Sequence, residues 1–153
     1  MREIIFRGQT RRYGEKVNIE GGKLPSRWVY GGIFPGTGDY SIIYGTKTEE
    51  FTDADIEKHT VYSNTVGQYT GLKDKNGKRI FEGDIISTDI KRPYLIVEFR
   101  DGCFMFNCND GGKDYYDIML PILDEPQTQY EYGEVIGNIH DNPELMEVLR
   151  WNG

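Results

Sequence analysis

The apolar runs of this chain are short, and turn-forming residues separate them. Trp28-Val29-Tyr30-Gly31-Gly32-Ile33-Phe34 and Tyr40-Ser41-Ile42-Ile43-Tyr44 flank Pro35-Gly36-Thr37-Gly38-Asp39. Proline fixes one φ in that stretch and glycine permits a positive one. Tyr94-Leu95-Ile96-Val97-Glu98-Phe99 and Cys103-Phe104-Met105-Phe106 flank Asp101-Gly102, a strong hairpin signal. β-branched and aromatic runs this short, with turns at close spacing, predict a mainly β fold.

Further strands are expected at residues 4–8, 66–72, 79–86 and 132–139. Asn76-Gly77 centres a polar turn between two of them, and this pair suits two positive φ angles. Residues 8–27 carry few apolar side chains and read as a long loop with at most one short strand. Thr52 and the acidic residues after it suit one or two helical turns over 52–59. Asn142-Pro143-Glu144 opens a C-terminal helix whose Leu145, Val148 and Leu149 form one apolar face. The dense block 66–107 suits a small SH3-like barrel. The expected organisation is a β-rich N-terminal extension or lobe over residues 1–60, then an SH3-like barrel with a short C-terminal helix over 61–153.

Composition narrows the function classes. The chain has 153 residues, 18 basic and 25 acidic side chains and a net charge of −7, which disfavours a coat for duplex DNA. The charge is uneven. Residues 1–109 hold 16 basic and 15 acidic side chains (16 − 15 = +1), and residues 110–153 hold 2 and 10 (2 − 10 = −8). The acidic third reads first as a solvated surface and second as a patch for a basic partner. The charged start and the lack of a long apolar run predict neither a signal peptide nor a membrane span, hence the cytoplasm. Cys103 and Cys108 are too few for a disulfide scaffold.

Candidate chemistry is sparse. Lys73, Lys75, Lys78 and Arg79 form a basic turn, and Tyr69 and Phe81 beside it are candidates to stack a base. The plainer reading gives Gly71, Gly77 and Gly83 to turn geometry, and Asp74 and Asp84 to backbone N–H groups. Gly67-Gln68-Tyr69-Thr70-Gly71-Leu72-Lys73 lacks the ending and the helix of a nucleotide loop. His59 and His140 are too scattered to complete a zinc site with the two cysteines, so no metal and no cofactor are expected. No nucleophile and base are paired in sequence, and Glu82 with Asp84 is ordinary strand patterning, so the reading leans away from an enzyme. Trp28, Tyr30 and Phe34 are candidates for an interface, with Tyr40 and Tyr44 near them.

The central block Val66-Gly67-Gln68-Tyr69-Thr70-Gly71-Leu72-Lys73-Asp74-Lys75-Asn76-Gly77-Lys78-Arg79-Ile80-Phe81-Glu82-Gly83-Asp84-Ile85 resembles the YopX family of phage and prophage proteins. Met1-Arg2-Glu3-Ile4-Ile5-Phe6-Arg7, Trp28-Val29-Tyr30-Gly31 and Val135-Ile136-Gly137-Asn138-Ile139 with Asn142-Pro143-Glu144-Leu145 resemble the family in the same order. The resemblance implies a β-rich fold with a barrel-like C-terminal part and a phage or prophage source. It implies no activity and carries over no site residue. The expected function is a non-enzymatic accessory protein that acts through contacts with a protein partner or through self-association as a homo-oligomer. A nucleic-acid module using the turn at 73–79 is the alternative, and an enzyme comes third. No membrane partner is expected.

Overall fold

The structure, a computed structural model, describes residues 3–15, 26–50, 55–87, 94–110, 113–118 and 133–146. Eleven strands run through them. They are β1 (Phe6–Arg11), β2 (Arg27–Phe34), β3 (Tyr40–Thr46), β4 (Glu57–Tyr62), β5 (Gly67–Lys73), β6 (Arg79–Phe81), β7 (Asp84–Ser87), β8 (Leu95–Arg100), β9 (Cys103–Asp110), β10 (Lys113–Ile118) and β11 (Glu134–Asn138). The fold is mainly β, as expected. The chain forms two compact units, Met1–Tyr69 and Thr70–Gly153.

In the first unit the strands lie in the order β4-β3-β2-β1-β5, antiparallel throughout. Strand alternation puts Val29, Ile43 and Val61 on one face, where they form a fully buried cluster with Ile33 and Val66 packed against it. Gly8 of β1 lies against this cluster. A Cβ there would stand 2.8 Å from Val61 Cγ2 and 3.2 Å from Ile43 Cδ1, so only glycine lets β1 approach β4 across the core. A single 3-10 turn at Ser63–Thr65 follows β4, and its Thr65 Oγ1 accepts the N–H of Gln9 at 2.8 Å.

Two expectations change here. The loop expected from residue 8 begins later, because β1 runs to Arg11 and pairs with β2 as far as Arg27. Cross-strand backbone bonds hold this stretch without apolar side chains. Residues 57–59, expected to be helical, open β4 instead. Its register against β3 points His59 and Val61 inward, and that burial outweighs a weak local helix signal. Residues 52–54 lie outside the described residues.

In the second unit the end of β5 pairs with β6, and a five-stranded antiparallel sheet has the order β10-β9-β8-β7-β11. Ile80, Ile86, Val97 and Phe106 form its core, with Leu72, Leu95, Phe104 and Val135 packed against them. Among the described residues this sheet is open, with β10 and β11 as its edges. β10, unforeseen in the acidic third, pairs with β9 over six residues.

The two hairpin dipeptides behave differently. Asp101 and Gly102 both take positive φ, 51° and 81°, as a two-residue hairpin requires. At Asn76-Gly77 only Gly77 does, with φ 79°. Gly77 N–H bonds back to Asp74 C=O at 3.0 Å and Asp74 N–H bonds to Lys78 C=O at 2.8 Å, which makes a three-residue loop.

Residues 143–146 are helical, and Val148 and Leu149 lie outside the described residues. Asn142 does not cap this helix through its side chain. Its Oδ1 accepts Asn138 N–H at 3.2 Å, while its main-chain carbonyl accepts Leu145 N–H at 3.1 Å.

Candidate binding face

The face of the first unit's sheet opposite its core is rich in aromatic residues. By register, Trp28, Tyr30, Gly32 and Phe34 of β2 share it with Tyr40, Ile42 and Tyr44 of β3 and with Lys58, Thr60 and Tyr62 of β4. Phe34, Tyr40 and Tyr44 are 64%, 56% and 49% exposed. Trp28 and Tyr30 are half-buried. All three interface candidates therefore lie on one face. Phe34 pairs with Ile42, which Tyr40 and Tyr44 flank. Each tyrosine is thus a diagonal neighbour of Phe34, about 7–8 Å away.

One end of the face is an array of two tilted rings and a cation. The Tyr40 and Tyr62 rings lie 5.4 Å apart, and the Arg12 guanidinium sits 4.3 Å over the Tyr62 ring. Arg12 Nη2 donates to Asn64 Oδ1 at 3.2 Å. Glu15 fastens the array from the side: Oε2 accepts Arg12 N–H at 2.9 Å and Oε1 accepts the Tyr62 hydroxyl at 3.0 Å. The Arg12 N–H, then the Tyr62 hydroxyl, hold the Glu15 carboxyl below its usual pKa. The same carboxylate, by accepting the hydroxyl's hydrogen bond, pushes the Tyr62 phenol up. Further along, the buried Arg7 places its guanidinium 4.5 Å over the Trp28 ring.

The basic turn is differently built. Lys73 and Lys78 are exposed, and Lys75 and Arg79 are half-buried. Tyr69 and Phe81 are only 5% and 1% exposed, so neither offers a ring for a base to stack on. They alternate inward on β5 and β6, which the sequence reading did not resolve. The turn's amides are also spent. Asp74 Oδ1 accepts Asn76 and Lys78 N–H, both at 2.9 Å, Gly77 N–H goes to Asp74 C=O, and Lys75 N–H goes to Gly133 C=O. The loop therefore presents lysine ammonium groups and no cradle of N–H donors.

Cys103 and Cys108 are both half-buried thiols outside any disulfide. They stand five positions apart on β9, in unbroken register with β8, so they point to opposite faces. His59 lies on the core face of β4, with Nε2 3.9 Å from Glu57 Oε2. Among the described residues no group of three or more His, Cys, Asp or Glu is placed to hold a metal ion. No helix among them is long and apolar enough to cross a membrane.

A family model described as YopX protein matches residues 26–147. The chain belongs to the YopX family. The matched span holds β2 to β11, and so both the aromatic face and the basic turn; the resembling segment at residues 1–7 precedes it. No curated protein matches this YopX chain. Among solved structures it is similar to the crystal structure of protein EF1440 from Enterococcus faecalis, at 23% identity and a TM-score of 0.44, over 94% of this chain and 98% of that one.

Sequence reasoning missed Arg12, Lys58 and Tyr62 as members of the face. The alternations Tyr40-x-Ile42-x-Tyr44 and Lys58-x-Thr60-x-Tyr62 were the available signal. Reading them needed the knowledge that β4 is a strand.

Proposed function

We propose that this YopX protein is a non-enzymatic binding module and that the outer face of β2, β3 and β4 is its contact surface. The observation that carries this is the exposure of Phe34, Tyr40 and Tyr44 together on one face, while the opposite face already holds a complete core. Aromatic rings and arginines concentrate binding energy in protein interfaces and in nucleic-acid contacts alike. A protein partner, a second copy of the chain included, and a nucleic acid are both served by such a surface. Burial of Tyr69 and Phe81 and the spent amides at 74–78 favour this face over the basic turn. Family membership supports a role as a phage or prophage accessory protein in the host cytoplasm. The β5–β6 hairpin, the bend at Gly83 (φ 91°) and the β8–β9 hairpin support an SH3-like reading of the region after residue 60.

The test is a chain carrying Phe34→Ser, Tyr40→Ser and Tyr44→Ser together. Exposed substitutions of this kind cost within about 0.5 kcal/mol each. The expected outcome is an unchanged urea midpoint with loss of association, whether with itself or with an added ligand. A stability loss of several kcal/mol would make the rings structural and reject the reading.

A further inference from the structure

We infer that the occupant of this face is single-stranded nucleic acid; the inference rests on reading β2–β4 as a contact surface. Charge is the first argument. The outward positions of β2 to β4 include the exposed Lys58 and not one carboxylate, since Glu57 of β4 falls on the inward register with His59. The exposed Arg12 adds a second cation, and Glu15, the acid beside it, is engaged with the Tyr62 hydroxyl and the Arg12 N–H. The face is thus cationic on a chain of net charge −7, whose excess of acid lies beyond residue 109. A polyanion fits it.

Strand spacing is the second argument. Along the sheet diagonal the backbone positions of Phe34 and of each of Tyr40 and Tyr44 lie about 7–8 Å apart. That is about two stacking steps of a nucleic-acid strand, at roughly 3.4 Å per nucleotide. Bases splayed along one strand therefore reach successive rings. Tyr40 adjoins Tyr62, their rings tilted by 33° at 5.4 Å, and Arg12 lies over Tyr62, so a base on Tyr40 joins an existing cluster of rings and a cation. An acidic peptide supplies the charge without flat rings to use this spacing. A duplex keeps its bases stacked on one another and offers these rings only its backbone. Stacking on aromatic platforms beside cations is how single strands are gripped without base-specific readout.

The experiment is fluorescence anisotropy of a labelled oligothymidine of about 15 nucleotides, which spans the site of one small domain. A duplex of the same length serves as the competitor. Single-strand binding that the duplex competes poorly, and that weakens steeply between about 50 and 200 mM salt, is expected. Phe34→Ala and Tyr40→Ala should each weaken it about tenfold or more, with the circular dichroism spectrum unchanged. Lys58→Ala should lower the slope of log K against log salt by about 0.7. Quenching of wild-type tyrosine emission by the oligonucleotide gives a readout that needs no variant. Full binding by both aromatic variants, or loss of binding only in Lys73→Ala with Lys78→Ala, would overturn the inference. So would a doubling of mass in light scattering that the aromatic variants abolish without any oligonucleotide binding. That last outcome leaves the contact surface standing, with a second copy on it. Neither oligonucleotide binding nor self-association would overturn both.

Discussion

The Asp74 carboxylate reaches Val135: Oδ2 accepts the Val135 main-chain N–H at 3.0 Å across 61 positions of sequence. The other oxygen accepts the N–H groups of Asn76 and Lys78. One side chain, 1% exposed, therefore closes the β5–β6 turn and fastens the start of β11 to it. Next to it, Lys75 N–H bonds to Gly133 C=O at 2.9 Å, so two adjacent residues of the turn hold the same segment.

Asp74→Ala should destabilise the second unit. It strands three amide donors, and hydrogen bonds to a charged group contribute about 1.5–3 kcal/mol each before any relaxation. A total of about 3 kcal/mol is expected in urea unfolding, with Asp74→Asn milder because its Oδ1 still accepts. A loss below about 1 kcal/mol would show that water replaces the carboxylate.

Gly77→Val tests the turn through its backbone alone. A Cβ at Gly77 meets nothing within 4 Å, so the cost is that of a β-branched residue held at φ 79°. About 1–3 kcal/mol is expected. Gly8→Ala tests the opposite case, a collision with Val61 and Ile43 in the first unit's core, at about 1–3 kcal/mol from overpacking. Thermal melts of both variants check these values, and an unchanged midpoint in either refutes its assignment.

The Glu15 latch should open in acid. Its folded-state pKa is depressed, first by the Arg12 N–H and then by the Tyr62 hydroxyl. A depressed carboxyl contributes fully above its unfolded-state pKa and loses that contribution as pH falls through the folded value. The Tyr62 ring resonances should therefore hold steady at neutral pH and shift below the ordinary glutamate range. Glu15→Gln should remove that transition; a shift that persists in the variant assigns it to another group.

Mild oxidation should leave Cys103 and Cys108 unbridged within one chain. Side chains on opposite faces of β9 cannot meet the geometry of a disulfide without breaking the strand. Mass spectrometry after oxidation, followed by thiol alkylation, reads this directly. An intrachain bridge formed without loss of β-sheet signal would contradict the register.

The sequence by itself determined the class of fold, most of the strands and the family. Short β-branched runs and turn dipeptides act over a few residues, and Asp101-Gly102 did what its chemistry dictates. It also foresaw that Asp74 and Asp84 accept backbone N–H groups, and Asp84 Oδ2 does take Phe81 N–H at 2.8 Å. Only the tertiary structure decided which face each residue occupies. Tyr69 and Phe81 looked like rings within reach of a base beside lysines, and Tyr40 and Tyr44 read first as core and only second as surface; alternation buries the first pair and exposes the second. A one-residue change of register moves a side chain across the sheet. That register was set by partners outside each segment: β3 for β4, β1 for β5, and Val135 for the turn at Asp74. Local propensity has no term for such pairings, so residues 57–59 of the helical turns expected over 52–59 became strand and the aromatic face emerged only once β4 lay beside β3.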